Sequence, residues 1–301
     1  METDAIDRIR SFNRTVTERI GALDSGFLGR GRPLGASRLL WEIGADGCDV
    51  RDLRARLGLD SGYVSRVLRS LEHQGLVEVG ASVEDGRVRR ARLTAAGRAE
   101  RDELDRLSDA TAVAILEPLS DGQRAKLVAA MAEVERLLEA GMVRFAIEDP
   151  TSPDARWCLS RYFAELDQRF EAGFDVAASL PADAPELTPP AGALMVARVR
   201  GRPVGCGALK LHGDAPAEVK RMWISPDARG IGVGRRLLAE LERYAAEAGV
   251  RVLRLETNRS LREAIALYRS AGYAEVQPFN DEPYAHHWFE KRIGAPSPPV
   301  S

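Results

Sequence analysis

Apolar residues in the first half of the chain recur at helical spacing. Ile6, Ile9, Phe12, Val16 and Ile20 share one face, and Leu34 to Ile43 form a second apolar stretch. Two shorter helices are predicted over Asp49–Arg56 and Ser61–Gln74, joined by Leu57-Gly58-Leu59-Asp60. One β interval interrupts them: Val77-Glu78-Val79, a turn at Asp85-Gly86, and the alternating run Arg87 to Leu93. Two long helices follow, the first capped by Thr94, the second capped by Ser120 or Asp121 and ending near Gly141. The character then changes. A strand at Val143–Ile147 precedes a helix over 154–172, and a Pro-rich loop, Pro181 to Pro190, leads to a hairpin of Ala193–Arg200 with Val204–Leu211. Strand Glu218–Ile224, a glycine turn, helix Arg235–Glu242, strand Val250–Glu256, helix Leu261–Ala271 and two closing strands complete the pattern. We place the domain boundary at Gly141–Met142, giving units 1–141 and 142–301, with 295–301 expected to be disordered.

Composition narrows the class only modestly. Hydrophobic content of 45% and charged content of 29% in 301 residues suit two folded domains. No apolar run approaches the roughly 20 residues of a membrane span, and the acidic N-terminus lacks a signal-peptide core, so a cytoplasmic protein is expected. Cys48, Cys158 and Cys206 are far apart, form no C-x-x-C pair and read as reduced, packed thiols. Net charge is −2, and residues 1–142 carry 22 basic against 24 acidic side chains. Nucleic-acid binding therefore has to rest on where particular arginines sit, not on bulk charge.

The most specific chemical signal is Arg229-Gly230-Ile231-Gly232-Val233-Gly234, between a strand and a helix. Glycines permit a tight turn, and the amides of a helix N-terminus attract an anion, so the turn is a phosphate cradle. A dinucleotide site needs G-x-G-x-x-G, and here the third position falls on Arg235. A P-loop needs Gly-Lys-Ser/Thr, which is missing. The spelling fits R/Q-x-x-G-x-G/A, with Arg229, Gly232 and Gly234 in place.

That motif resembles the acetyl-CoA pyrophosphate loop of the GCN5-related N-acetyltransferases. Leu255-Glu256-Thr257-Asn258 and Ala264-Ile265-Ala266-Leu267-Tyr268-x-x-x-Gly272-Tyr273 resemble the family's later block, and the likeness covers residues 143–293. It implies an α+β fold with a mixed, mainly antiparallel sheet, acetyl-CoA as co-substrate and a small amine or amino-acid-like acceptor. Glu218 matches the family's strand glutamate, a base for the attacking ammonium; otherwise it is a surface strand glutamate or forms a salt bridge to the substrate. Backbone N–H groups of Met222, Trp223 and Ile224 are expected to hold the thioester oxygen and pantetheine. Tyr268 matches the tyrosine that protonates the departing thiolate; the alternative is a packing aromatic. Arg229, Gly230, Gly232, Gly234 and Arg235 are assigned to the diphosphate, although the two arginines also suit solvated helix ends. Asn258 either holds the cofactor's amide chain or forms a turn. Asp281, Glu282 and Tyr284 are the acceptor candidates, with an acidic turn as the alternative. His286 and His287 are adjacent in a predicted strand and point to opposite faces, so no metal is expected.

In the first half, Val64, Val67, Leu68 and Leu71 form the buried stripe of a helix whose other face carries Ser61, Tyr63, Ser65, Arg66 and Arg69. Preceded by a short Gly-containing turn, this reads as a helix-turn-helix with its recognition helix; Arg66 and Arg69 alternatively form a solvated face. Arg87, Arg89, Arg90 and Arg92 crowd a hairpin that reads as a wing. Asp60-Ser61-Gly62-Tyr63-Val64-Ser65-Arg66, Leu71-Glu72-x-x-Gly75-Leu76-Val77 and Asp85-x-Arg87 through Leu93-Thr94-x-x-Gly97 resemble the MarR family of winged-helix regulators. The likeness implies a homodimer paired through its terminal helices on a palindromic double-stranded DNA operator. The expectation is a bifunctional regulator and acetyltransferase. Its rivals are a repressor that senses acetyl-CoA without turnover, and an enzyme that uses the winged helix only to dimerise.

Overall fold

The computed structural model describes residues 3–81, 88–180 and 182–294. The Asp85-Gly86 turn, Arg87 and the tail 295–301 lie outside the described residues. Two compact units divide the chain, Met1–Ala132 and Glu133–Ser301.

The first unit contains α1 (Thr3–Arg19), α2 (Leu34–Ile43), β1 (Cys48–Asp49), α3 (Val50–Leu57), α4 (Ser61–His73), β2 (Val77–Ala81), β3 (Arg89–Leu93) and α5 (Ala95–Leu116), and α6 (Asp121–Gly141) runs across the division. Strand β1, only two residues long, gave no periodic signal; it pairs antiparallel with β3, which pairs antiparallel with β2. Gly58 ends α3 in the left-handed region (φ 64°), and the Asp60 carboxylate caps α4 by accepting from Tyr63 N–H at 2.8 Å. The predicted stripe is largely buried: Val64, Leu68 and Leu71 pack with Leu39, Leu40, Ile43, Leu53, Ala91 and Leu93. Thr94 caps α5, accepting from Gly97 N–H at 3.0 Å and donating to the Gly75 carbonyl at 2.6 Å. Gly97 is required there, because a Cβ would fall 1.9 Å from the Leu76 carbonyl oxygen.

The second unit contains β4 (Arg144–Glu148), α7 (Pro153–Arg169), β5 (Gly192–Val199), β6 (Arg202–His212), β7 (Ala215–Ile224), α8 (Val233–Glu247), β8 (Val252–Thr257), α9 (Arg262–Ser270), β9 (Ala274–Val276) and β10 (His287–Arg292). One sheet takes the order β4-β5-β6-β7-β8-β10-β9. Its pairings are antiparallel except β7 with β8, whose parallel crossover is α8. Leu237, Leu238, Leu241 and Ala245 of α8 and Ile265 and Tyr268 of α9 pack with Leu209, Val219, Leu253, Leu255 and Phe289 of the sheet. A separate cluster joins Ala155 and Cys158 of α7 to Leu194, Val196, Cys206, Ala208 and Trp223. Removing one such buried leucine costs roughly 2–5 kcal/mol.

Two departures from regular sheet geometry position the site. Strand β7 bulges at Arg221, whose φ is +56°, as its register with β6 shifts between Cys206 and Ala208. Strand β7 also leaves β8 just before the bulge: their ladder comprises only Ala217 with Leu253 and Glu218 with Arg254. The two strands therefore diverge toward Ile224 and Thr257, opening a gap.

Candidate functional site

The gap between β7 and β8 continues into a cleft enclosing about 1240 Å³ of open space, lined by Met222, Trp223, Ile224, the turn 228–235, and Leu261, Ala264, Leu267 and Tyr268. Ser225 N–H bonds to the Val204 carbonyl on β6. By strand alternation the N–H of Trp223 also faces β6, whereas those of Met222 and Ile224 face the gap. Gly230 (φ 77°) and Gly232 (φ 82°) hold the turn in the left-handed region, and Gly232 caps α8. Apart from its own chain neighbours, no atom of the described residues lies within 4 Å of where a Gly232 Cβ would stand, so the turn presents bare backbone to the cleft.

The expected arginines serve this geometry from its rim. Arg229 Nε donates to the Ile224 carbonyl at 2.9 Å, and its guanidinium pairs with Glu165 of α7. Glu165 also accepts from the Trp223 indole N–H at 2.8 Å, and these donors hold its carboxyl below the usual range against the opposing effect of burial. Arg235 is exposed and reaches the end of α9, donating to Ser270 Oγ at 2.5 Å and to its carbonyl at 3.2 Å.

Tyr268 lies in the same cleft, its ring 6.0 Å from those of Tyr273 and Phe289. Burial pushes its phenol well above the ordinary tyrosine range, so it remains protonated. Glu218 is placed differently. Its side chain is 21% exposed and its carboxylate lies 3.0 Å from Lys220 Nζ and 3.3 Å from His212 Nε2, outside the residues lining the cleft. Lys220 Nζ also pairs with Glu256, forming a chain Glu218–Lys220–Glu256. The two carboxylates keep the Lys220 ammonium above its usual range despite burial.

A second cavity adjoins the first across Tyr162, Leu166 and Leu261 and includes Phe170, Phe174, Lys220, Arg221, Glu256, Glu282 and Tyr284. Tyr162, at the junction, is pushed up to about 12 by burial. Of the expected acceptor residues, Glu282 and Tyr284 line this cavity and Asp281 is exposed outside it. The segment around them is the irregular connection between the antiparallel strands β9 and β10. Glu282 secures the neighbouring loop, accepting from Ser179 Oγ at 3.0 Å and Leu180 N–H at 2.8 Å, while Tyr284 Oη accepts from Asp175 N–H at 2.9 Å. Asn258 falls here instead of in the cofactor cleft. Its amide is used at both ends, donating to the Tyr284 carbonyl at 2.8 Å and accepting from Ser260 N–H at 2.9 Å, which is a turn-forming arrangement. Lys220, Arg221 and Glu256 were not singled out as cavity residues from the sequence; the bulge that turns 220 and 221 into one cavity leaves no mark in the residue pattern. Among the described residues no cluster of three or more His, Cys, Asp or Glu side chains is placed to hold a metal.

In the first unit, Ser61, Arg66 and Arg69 are exposed on α4, and no hydrogen bond or ion pair to either guanidinium is present among the described residues. Ser65 is half-buried. Tyr63 turns toward α2, its hydroxyl so close to Gly35 that a Cβ there would fall 2.0 Å away. Arg89 is exposed on β3, but Arg90 folds back to Asp49 at 3.5 Å and to the carbonyls of Asp46 and Gly47.

The Acetyltransferase (GNAT) family matches residues 141–273, and the MarR family matches residues 30–88. An IAA acetyltransferase of Azospirillum brasilense is 44% identical over 98 residues, 32% of this chain and 64% of that protein. The N-alpha-acetyltransferase RimI of Mycobacterium tuberculosis is 37% identical over 94 residues, 30% of this chain and 58% of that one. The chain spans between 58% and 64% of the length of the first curated relatives it matches. A crystal structure of a GNAT-family acetyltransferase from Staphylococcus aureus, 14% identical, overlies 50% of this chain and 99% of its own with a TM-score of 0.44. No helix among the described residues is long and apolar enough to cross a membrane.

Proposed function

For a chain that joins a MarR-family region to a GNAT-family acetyltransferase domain, we propose two linked roles: acetyl-CoA-dependent N-acetylation of a small amine, and DNA binding as a homodimer. The observation that carries the enzymatic role is the convergence in one cleft of the free β7 edge, the glycine turn at the start of α8, and Tyr268.

In this reading the diphosphate of acetyl-CoA lies on the amides of the Gly230–Gly234 turn, and the pantetheine runs along β7. The thioester oxygen accepts from the N–H groups of Met222 or Ile224, which stabilise the charge that develops there. The acceptor nitrogen attacks the carbonyl carbon, the N–C bond forms and the C–S bond breaks. The amine proton passes to the Glu218–Lys220–Glu256 chain, which reaches the cavity through Glu256 and solvent through Glu218. Tyr268 gives its proton to the departing thiolate. Arg229 acts by holding the turn against β7.

Arg66 and Arg69 are proposed to enter the major groove, with Arg89 on the backbone. Arg90 supports the wing instead. Dimerisation is supported by apolar residues left exposed on α1, α5 and α6, including Ile9, Phe12, Val113, Val128 and Met131. Thiol release from acetyl-CoA across an amine panel tests the first role, and a mobility shift on the chain's own upstream DNA tests the second. Binding of acetyl-CoA without thiol release would reduce the second unit to a sensor.

A further inference from the structure

The second cavity holds four charged side chains, and three of them are satisfied by the protein. Lys220 pairs with Glu218 and Glu256. Glu256 pairs with Lys220, and Glu282 accepts from Ser179, Leu180 and the Tyr284 N–H. Arg221 is the exception. It is only 9% exposed, yet no hydrogen bond or ion pair to its guanidinium is present among the described residues. Its contacts are aromatic: the guanidinium lies 4.7 Å from the Phe163 ring centroid and 5.9 Å from that of Tyr162. Arg221 also lines the cavity, so its fork of N–H donors is available to a ligand there. The left-handed φ of +56° at this non-glycine residue fixes that placement, since regular alternation would turn Arg221 away from the face used by Lys220.

A buried guanidinium without a carboxylate partner is costly unless the ligand supplies one, and the fork matches a carboxylate in two parallel hydrogen bonds. We propose that the acceptor is a free amino acid, its carboxylate on Arg221 and its amine toward the thioester beside Met222. This rests on the acetyltransferase reading and adds the substrate class. The walls agree with it: Leu166, Phe170, Phe174 and Tyr284 form an apolar surround for one side chain, in a cavity of about 490 Å³ including its mouth. A peptide N-terminus or a plain monoamine leaves the Arg221 fork empty. Transfer converts the amino acid to its N-acetyl derivative, removing the amine's charge and keeping the carboxylate.

The test pairs binding with turnover. The full chain is titrated calorimetrically with each common L-amino acid and with its C-terminal amide, in the presence of coenzyme A, and the same pairs are assayed for thiol release from acetyl-CoA. At least one amino acid is expected to bind and react roughly 10²-fold better than its amide. In Arg221→Met that acid-to-amide ratio should collapse toward one with acetyl-CoA affinity retained, and Arg221→Lys should restore part of it. Amides that match or exceed the acids throughout, or a ratio unchanged in Arg221→Met, would overturn the proposal while leaving the acetyltransferase reading intact. Acid binding that fails for every amino acid also overturns it. Failure of acetyl-CoA itself to bind would instead remove the reading beneath it.

Discussion

Arg229 Nε donates to the carbonyl oxygen of Ile224 at 2.9 Å, tying the glycine turn to the free edge of β7. Its guanidinium also pairs with Glu165, which accepts from Trp223. The motif's arginine thus fixes the distance between the diphosphate cradle and the strand along which the pantetheine is proposed to lie. Arg229→Ala should weaken acetyl-CoA binding about tenfold, from loss of charge-assisted hydrogen bonds. Desulfo-CoA, which carries the same diphosphate, should lose affinity by the same factor in calorimetry. Unchanged affinities would assign Arg229 to folding alone.

Gly232 makes a sharper test of the cradle. A Cβ there meets no atom of the described residues within 4 Å beyond its chain neighbours, so Gly232→Val costs mainly the strain of φ 82°, about 1–2 kcal/mol or somewhat more for a branched side chain. The side chain would stand where the proposed diphosphate approaches. The variant is expected to stay folded by circular dichroism while acetyl-CoA affinity falls at least tenfold; a folded variant with wild-type affinity would move the cofactor elsewhere.

The first unit carries a pH-dependent clamp. Glu100 on α5 is nearly buried and accepts from Arg30 Nε at 2.9 Å and Nη2 at 2.6 Å, and it also pairs with Arg32. The Arg30 hydrogen bonds, aided by Arg32, hold its carboxyl below the usual glutamate range against burial. Because the folded-state pKa is depressed, the clamp's stabilisation is fully present above the unfolded glutamate pKa and is lost as pH falls through the folded one. The difference in melting temperature between wild type and Glu100→Gln should be constant from pH 7 to about 5 and shrink at lower pH. A difference that grows on acidification would contradict this.

DNA affinity should respond differently to the two exposed arginines. Arg66→Ala is expected to cost about 1–3 kcal/mol on the preferred site and little on random duplex. Arg89→Ala should weaken both alike and flatten the salt dependence. Titrations at several salt concentrations distinguish the two, and sequence-blind losses for both would make Arg66 a phosphate contact.

Much of this architecture was legible in the sequence for definite reasons. The stripe Val64, Leu68 and Leu71 has a helical period, Thr94 is a strong cap, and the glycine turn spells its own backbone conformation. What was hidden depends on tertiary register. Strand β1 is too short for a period, and Arg90 looks like its neighbours on the wing until Asp49 is folded beside it. The bulge at Arg221 uses no glycine to announce itself. It alone makes consecutive residues 220 and 221 share a cavity, which is why the acceptor candidates legible in the sequence are Asp281, Glu282 and Tyr284 and not Arg221. Asn258, at a strand end, has a side chain equally suited to ligand and backbone, and its bonds to the Tyr284 carbonyl and Ser260 N–H appear only in the fold.

The central claim, that the second unit transfers an acetyl group with Tyr268 as proton donor, is tested most directly by Tyr268→Phe. The substitution keeps the ring that packs against Tyr273 and Phe289 and removes the hydroxyl. The measurement is kcat for thiol release with an acceptor identified from the amine panel, alongside calorimetric affinity for acetyl-CoA. The account predicts a fall in kcat of roughly 10²–10⁴-fold with affinity nearly unchanged. Wild-type turnover in Tyr268→Phe, or a loss confined to acetyl-CoA binding, would contradict it.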